Sequence, residues 1–275
     1  MSGVPSRLGG LVASDRAAVP FFQFPALVAA GLPHGVFTRH GGVSPPPFAS
    51  LNVSFAVGDA RACVIENRAR LARALGGEPA HVRAARQVHG ADWRVVARAT
   101  TPAAEAEAPP ADILLCGEPG TLLLMKFADC TPLLLWDPRR RWVALAHAGW
   151  RGTARKVAAT AVAALEQVAG SRPPDLWVAL GPAIGLCCYE VAPAVVAAVA
   201  ATGLDPATIS RAGARGRPHL DLLAANRQQL VAAGVAPARI QAAGVCTACH
   251  AELFYSHRAL GTPAGRFGVI AGVAV

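Results

Sequence analysis

The 275-residue chain is poor in charge: Asp, Glu, Lys and Arg make up 16 % of it, against 53 % hydrophobic residues. That balance allows a large buried core, in one large domain or two small ones. There is no uncharged apolar run of membrane-spanning length, which excludes a single-helix anchor; alanine-rich stretches such as Val157 to Leu165 read as ordinary helix. The opening segment MSGVPSRLGGLVASDRAAVP has no apolar core of signal-peptide type. The seven cysteines are odd in number and show no disulfide-framework spacing, so a reducing cytoplasm is expected. The formal net charge is +9, but the positive residues are almost all Arg and are scattered, with Arg139 to Arg141 the densest run. That argues against a nucleic-acid-binding surface and suits a small anionic substrate such as phosphate or a nucleotide-like compound. No His-x-His pair occurs among the eight histidines, and the two methionines are Met1 and Met125. A multicopper oxidase relies on several such pairs, so copper is the less favoured metal.

Against these absences stand two histidines and a cysteine. His89, Cys130 and His147 each sit where an apolar, strand-like run meets a loop: Gln87-Val-His-Gly90, Phe127-Ala-Asp-Cys-Thr-Pro132 and Leu145-Ala-His-Ala-Gly-Trp-Arg-Gly152. Imidazole and thiolate suit a borderline-soft divalent metal, and three protein ligands leave a fourth tetrahedral position for water or substrate. The three lie 41 and 17 residues apart, which is no zinc-finger spacing, so they must converge through the fold. The ordinary alternative for each is a packed or hydrogen-bonded side chain near a strand end. Asp129, beside Cys130, is a candidate to orient a ligand or to serve as acid/base; otherwise it is a turn aspartate before Thr-Pro. Gly149 to Thr153 enters a helix with Thr153 as the expected N-cap, and Arg151 with the helix amides would make an anion site. Cys246-Thr-Ala-Cys249-His250 spells a haem-attachment or redox-dithiol motif. Haem attachment needs export, so a loop lining the site, or plain packing, is the better reading. Gly181-Pro-Ala-Ile-Gly185 with Cys187-Cys188-Tyr189-Glu190 makes another glycine-bearing turn.

Periodicity places strands at Gly35–Arg39, Thr121–Phe127, Thr131–Trp136, Trp142–Ala146, Leu176–Leu180, Arg239–Val245 and Phe267–Ala271. Helices are expected at Arg61–Leu75, Thr153–Val168, Pro193–Ala201 and Leu220–Ala233. Helices and strands mix without strict alternation, which predicts an α+β chain with layered mixed sheets. Residues 1–20 read as a flexible leader, 21–275 as a single catalytic domain, and about 100–111 as a mobile low-complexity loop.

The ordered motifs then show a resemblance. They are Thr38-Arg-His-Gly-Gly-Val-Ser44, Ala49-Ser-Leu-Asn52, Val57-Gly-Asp59, Asn67-Arg68, Gln87-Val-His-Gly90, Ala128-Asp-Cys-Thr-Pro132, His147-Ala-Gly-Trp-Arg-Gly152, Gly181-Pro-Ala-Ile-Gly185, Asp221-Leu-Leu-Ala-Ala-Asn-Arg227, Cys246-Thr and Phe254-Tyr-Ser-His-Arg258. Together they resemble the purine nucleoside phosphorylase family related to bacterial YfiH and human laccase domain-containing protein. Its members also carry the names polyphenol oxidase, laccase and peptidoglycan editing factor. The resemblance runs from about Thr38 to Gly272. One departure is Pro46-Pro47-Phe48, where a Gly-Pro-Tyr-like turn is more usual.

The resemblance implies a single α/β/β/α layered domain and a zinc held by His89, Cys130 and His147. It implies phosphorolysis of adenosine, inosine, guanosine and methylthioadenosine, with adenosine deamination. The partners expected are purine nucleosides and phosphate, with no nucleic acid, membrane or obligate protein partner. Arg151 is then the first candidate for holding phosphate, with Arg39 and Asn52 as lesser ones, and Asp129 the first candidate for moving protons. Two rival readings stay open. One is a zinc-free cysteine hydrolase of amides or muropeptides, with Cys130 as nucleophile and His147 or His89 as base. The other is a non-enzymatic scaffold that binds nucleosides or partner proteins.

Overall fold

The computed structural model describes residues 4–14, 19–97, 109–213 and 216–275. The N-terminal part contributes strands β1 (Arg7–Leu8), β2 (Leu11–Ala13), β3 (Phe21–Gln23) and β4 (His34–Phe37), with the short helix α1 (Pro25–Ala29) before β4. Helix α2 (Arg61–Ala74) follows, then β5 (Val82–Ala84), β6 (Trp93–Val95), β7 (Ile113–Cys116), β8 (Leu122–Phe127), β9 (Thr131–Asp137) and β10 (Trp142–Ala148). Next come α3 (Trp150–Ala154), α4 (Val157–Ala169), β11 (Trp177–Leu180), α5 (Pro193–Ala200) and α6 (Pro206–Ile209). The chain closes with β12 (Ser210–Ala212), β13 (Pro218–Leu220), α7 (Leu222–Ala232), β14 (Ile240–Ala242), α8 (His257–Leu260) and β15 (Phe267–Gly272).

The larger strands form two mixed sheets. One has the order β1-β2-β3-β4-β15-β8-β5 and the other β14-β11-β9-β10-β7-β6. Their facing sides share one core, in which Met125, Phe127 and Val269 of the first sheet meet Leu114, Leu134, Trp136 and Leu145 of the second. The outer face of the second sheet carries Leu133, Leu135, Ala144 and Ala146 against Val157, Ala161 and Leu165 of α4 and Leu230 of α7. The outer face of the first sheet carries Leu122, Leu124 and Ile270 against Leu71 and Ala72 of α2. The result is the helix, sheet, sheet, helix sandwich that the resemblance implied. Because both faces of β8, β9 and β10 are covered, these strands have no water-facing side. That is why they read as unbroken apolar runs rather than as alternation.

Several boundaries differ from those expected, each for a local reason. The leader expected over residues 1–20 contains β1 and β2, which pair with each other and, through β2 and β3, join the first sheet; Leu11 is fully buried there. Most of the loop expected at 100–111 lies outside the described residues, but Ala111 is buried and Arg86 bridges to Pro110. The helix expected from Thr153 is two helices, because Lys156 adopts φ 58° and breaks the axis. Thr153 is not a cap: it sits inside α3, and its hydroxyl donates to the Gly149 carbonyl. The strand expected over Arg239–Val245 keeps only Ile240–Ala242. At the other stops, Gly170 takes the left-handed conformation that ends α4, and Asp221 caps α7 by accepting from the Ala224 amide.

Candidate metal centre and cationic pocket

The chain leaves β8 in the first sheet and enters β9 in the second through Ala128, Asp129 and Cys130. His147 stands near the end of β10, paired across from Pro132 on β9. The antiparallel pairing of β9 with β10 therefore puts Cys130 and His147 at the same end of the sheet. His89 arrives on the loop between β5 and β6. Gln87 fixes that loop by taking the place of a ladder partner: its side chain donates to the Lys126 carbonyl at 2.9 Å and accepts from the Lys126 amide at 3.0 Å. The metal-binding atoms of His89, Cys130 and His147 lie within 4.8 Å of one another, so the three candidate ligands do converge.

One residue that the sequence reading passed over holds this arrangement. Asp112, immediately before β7, is fully buried. One carboxylate oxygen accepts from the His89 amide at 3.0 Å and stands 2.8 Å from His147 Nδ1. The other accepts from the amides of Val88 at 3.1 Å and Gly90 at 2.6 Å. His89 itself adopts φ 59°, a conformation costly for a residue with a Cβ, and the flanking amides explain why it persists. The bond from Asp112 sets His147 to carry its proton on Nδ1 and leaves Nε2 for a ligand. Asp112 is legible in hindsight as a lone acid directly ahead of the apolar run Ile113-Leu-Leu-Cys116. Gly149 is the other enabling residue: a Cβ there would lie 2.7 Å from Cys130 Sγ and 3.2 Å from a His89 ring carbon.

The three ligand residues are electrostatically coupled. Burial alone would push the Cys130 thiol up, but the neighbouring His147 charge and hydrogen bonds from His147 and His89 bring it down to about 6. Burial disfavours a charge on His147, yet the Cys130 thiolate and the Asp112 carboxylate raise it to about 9. Each of Cys130 and His147 thus favours the charged form of the other. Asp112 is likewise held below its usual value, burial being overcome by the bond from His147 and the loop amides.

These candidate ligands line a cavity of about 550 Å³. Arg86, Lys126, Arg151, Arg258 and Arg266 also line it, and Asp129 is the acid among the lining residues. Five cations against one acid make the lining strongly basic. Of the expected site residues, Arg151 lines the cavity with its guanidinium over the Trp150 ring, 4.5 Å from the centroid. Its helix, α3, is only five residues long and adds little field of its own. Asp129 lines the cavity too, but its carboxylate accepts from Thr247 Oγ1 at 2.7 Å, Ser256 Oγ at 2.6 Å and the Arg258 amide at 2.7 Å. Those three donors hold its carboxylate in the cavity wall, with Asp129 itself at φ 92°.

Arg39 and Asn52, expected as lesser phosphate contacts, lie outside the lining. Arg39 spends its donors on the carbonyls of Ala49 and Ala251 and covers the Tyr255 ring. Asn52 is fully buried; it bonds Ser54 and Asp59 and accepts from the Arg266 amide at 2.9 Å. Asn52 reaches the pocket wall through Ser54 and Arg266. Ser44, Asp59 and Asn67 complete the same polar knot. The sequence reading missed Arg86, Lys126, Arg258 and Arg266 as pocket cations, since nothing in an isolated Arg or Lys says which way it faces.

Comparison with known proteins settles the family. Residues 33–274 match the family described as multi-copper polyphenol oxidoreductase laccase. The chain belongs to this family. Among its relatives is "Purine nucleoside phosphorylase YlmD" of Geobacillus stearothermophilus, 42 % identical over 234 residues, covering 83 % of this chain and 85 % of the relative. A purine nucleoside phosphorylase of Deinococcus radiodurans is 38 % identical over 259 residues, covering 93 % of each. The crystal structure of the Geobacillus stearothermophilus YlmD superposes with a TM-score of 0.90 at 38 % identity, covering 97 % of this chain and 100 % of that one. The family's description implies copper. Among the described residues, one group brings His and Cys together, His89, Cys130 and His147, and a second consists of four cysteines. Two imidazoles and one thiolate fit a single ion with an open position, not a cluster of several coppers built on many histidines. No helix among the described residues is long and apolar enough to cross a membrane.

Proposed function

We propose that this chain is a zinc-dependent purine nucleoside phosphorylase acting on adenosine, inosine, guanosine and methylthioadenosine, with adenosine deaminase activity at the same site. The observation that carries the reading is the junction of a His-Cys-His ligand set with a cationic cavity of about 550 Å³, large enough for a nucleoside and phosphate together. The names of the relatives point the same way. His89, Cys130 and His147 would hold the zinc, which when bound supplies a Lewis acid at the cavity wall. The free thiols suit a reducing cytoplasm.

In phosphorolysis a phosphate oxygen bonds to the ribose anomeric carbon as the bond to the purine nitrogen breaks, and the purine leaves with the proton that the phosphate gives up. Arg86, Lys126, Arg151, Arg258 and Arg266 surround the space phosphate would occupy and offset its charge. Burial of Tyr189 raises its hydroxyl to about 12, so it stays protonated and offers a hydrogen-bond donor from the cavity wall. Asp129, through Thr247, Ser256 and Arg258, keeps that wall in position.

The test is metal content measured beside phosphate-dependent release of free base from adenosine and inosine, for the wild type and Cys130→Ala. One zinc at this site and base release, both lost in the variant, support the proposal; inosine formed from adenosine reports the deaminase part. The mutual stabilisation of charge on Cys130 and His147 favours one rival, a cysteine hydrolase of amides. Activity that survives chelation but falls to thiol alkylation, on an amide substrate, would replace the phosphorylase reading.

A further inference from the structure

We propose a second metal site, a tetrathiolate centre for a zinc-type ion formed by Cys187, Cys188, Cys246 and Cys249. The sequence offers these as two unrelated features, a vicinal pair after β11 and a Cys-x-x-Cys tract after β14. The fold brings them together. Ala183 bridges to Cys246, with the Ala183 amide on the Val245 carbonyl at 3.2 Å and the Thr247 amide on the Ala183 carbonyl at 3.0 Å. With the two turns laced in this way, all four sulfurs lie within 4.8 Å of one another. Cys249 Sγ is 3.6 Å from Cys187 Sγ and 3.5 Å from Cys188 Sγ. Four thiolates placed tetrahedrally at about 2.3 Å from zinc stand roughly 3.8 Å apart, so this spacing needs little adjustment.

The surroundings fit a thiolate centre. The Gly185 amide donates to Cys246 Sγ at 3.2 Å, the kind of outer bond that orients and stabilises a metal-bound sulfur. Gly185 also packs closely here: a Cβ would lie 3.1 Å from Cys246 Cβ and 3.3 Å from Cys187 Sγ. Cys187 and Cys249 are exposed, so the ion enters from solvent. Four protein ligands close the coordination sphere, which marks the site as structural rather than catalytic.

What the ion would hold is one wall of the cavity. Tyr189 follows Cys188 directly and lines the cavity, and Arg258 donates to the carbonyls of Cys188 at 3.3 Å and Glu190 at 3.0 Å. Thr247, between Cys246 and Cys249, holds Asp129. An ion on the four sulfurs therefore pins the turns that carry Tyr189 and receive Arg258. The site shares no ligand with the His89 centre.

The test uses the full chain purified under reducing conditions from zinc-supplemented cells, with metal measured per chain. The wild type carries two zinc ions. Cys249→Ser and Cys187→Ser each lose one and keep the other, Cys130→Ala loses the other, and the double variant Cys130→Ala with Cys249→Ser carries none. Cobalt substitution gives the wild type the visible bands of a tetrathiolate ion, absent in Cys249→Ser, and zinc protects five of the seven thiols from alkylation, these four and Cys130. Zinc content in Cys249→Ser equal to that of the wild type overturns the proposal. So does intact mass showing a disulfide among these four cysteines in zinc-replete, anaerobically purified protein. A wild type with one zinc that Cys249→Ser loses but Cys130→Ala keeps would support this site while refuting the catalytic one.

Discussion

Replacing Asp112 by Asn exchanges one carboxylate oxygen for an NH₂ group and removes the charge, and so tests whether the candidate metal centre is held from behind. The carboxylate receives four bonds, two on each oxygen, from the amides of Val88, His89 and Gly90 and from His147 Nδ1. An amide has one acceptor atom, so whichever way it turns, its NH₂ group faces two of those donors. If the oxygen stays on His147, the amides of Val88 and Gly90 lose their partner in a buried site. Each buried donor left unmade costs about 1–3 kcal/mol, so Asp112→Asn should lower stability by roughly 2–6 kcal/mol. If the amide turns the other way, His147 loses the acceptor that fixes its tautomer. Disturbing such a partner typically weakens metal binding by about 10–100-fold. Urea unfolding of the metal-free protein measures the first effect, and competition with a chromophoric chelator measures the second. A variant within about 0.5 kcal/mol of the wild type, with unchanged zinc affinity, would refute the reasoning, because it would mean that the bonds to Asp112 do not hold the loop.

Three further outcomes are expected. Gly149→Ala puts a methyl 2.7 Å from Cys130 Sγ and should sharply weaken metal binding without touching a ligand; zinc titration of the folded variant checks it. Zinc affinity should rise with pH, because binding needs Cys130 as thiolate and His147 neutral. With these groups at about 6 and about 9, the affinity should change about tenfold per pH unit between those values and more steeply below about 6, as calorimetry in buffers of different ionisation enthalpy would report. His34 is buried, accepts from the Phe24 amide at Nε2 and pairs with the Leu32 carbonyl through Nδ1. Burial, only partly opposed by the Leu32 bond, lowers it to about 4. The unfolded chain then takes up the proton first: the stability from neutral His34 is complete above about pH 6.5 and is lost as pH falls toward about 4, amounting to about 2 kcal/mol at about pH 5. Urea midpoints for the wild type and His34→Gln across that range should converge as the pH falls; parallel curves would contradict this.

How much of this was readable from residues alone depends on how local each determinant is. The strands β8, β9 and β10 and the candidate ligands at their ends were legible because an apolar run ending in His or Cys is a local signal. The break at Lys156 was not, since a left-handed residue inside an alanine-rich helical pattern leaves no periodicity mark. Asp129 and Asn52 carried motif-level prominence, yet their partners Thr247, Ser256 and Arg266 lie more than a hundred residues away. Their role as buttresses becomes visible only when those distant segments meet. The same holds for Cys187 and Cys188, which gain meaning only beside Cys246 and Cys249.

The passage of the chain from β8 to β9 has a consequence for how the protein must mature. Cys130 stands at the crossing between the sheets, His147 belongs to the second sheet, and the His89 loop is tied to the first through Gln87 and to the second through Asp112. The ligand set is therefore a seam, complete only when both sheets have docked. A chain with only one finished sheet would not present all three side chains together, so an ion bound by all three could be held only once both sheets have docked. The same seam makes the centre hard to transplant: moving it to another scaffold means moving the junction of two sheets, not a loop.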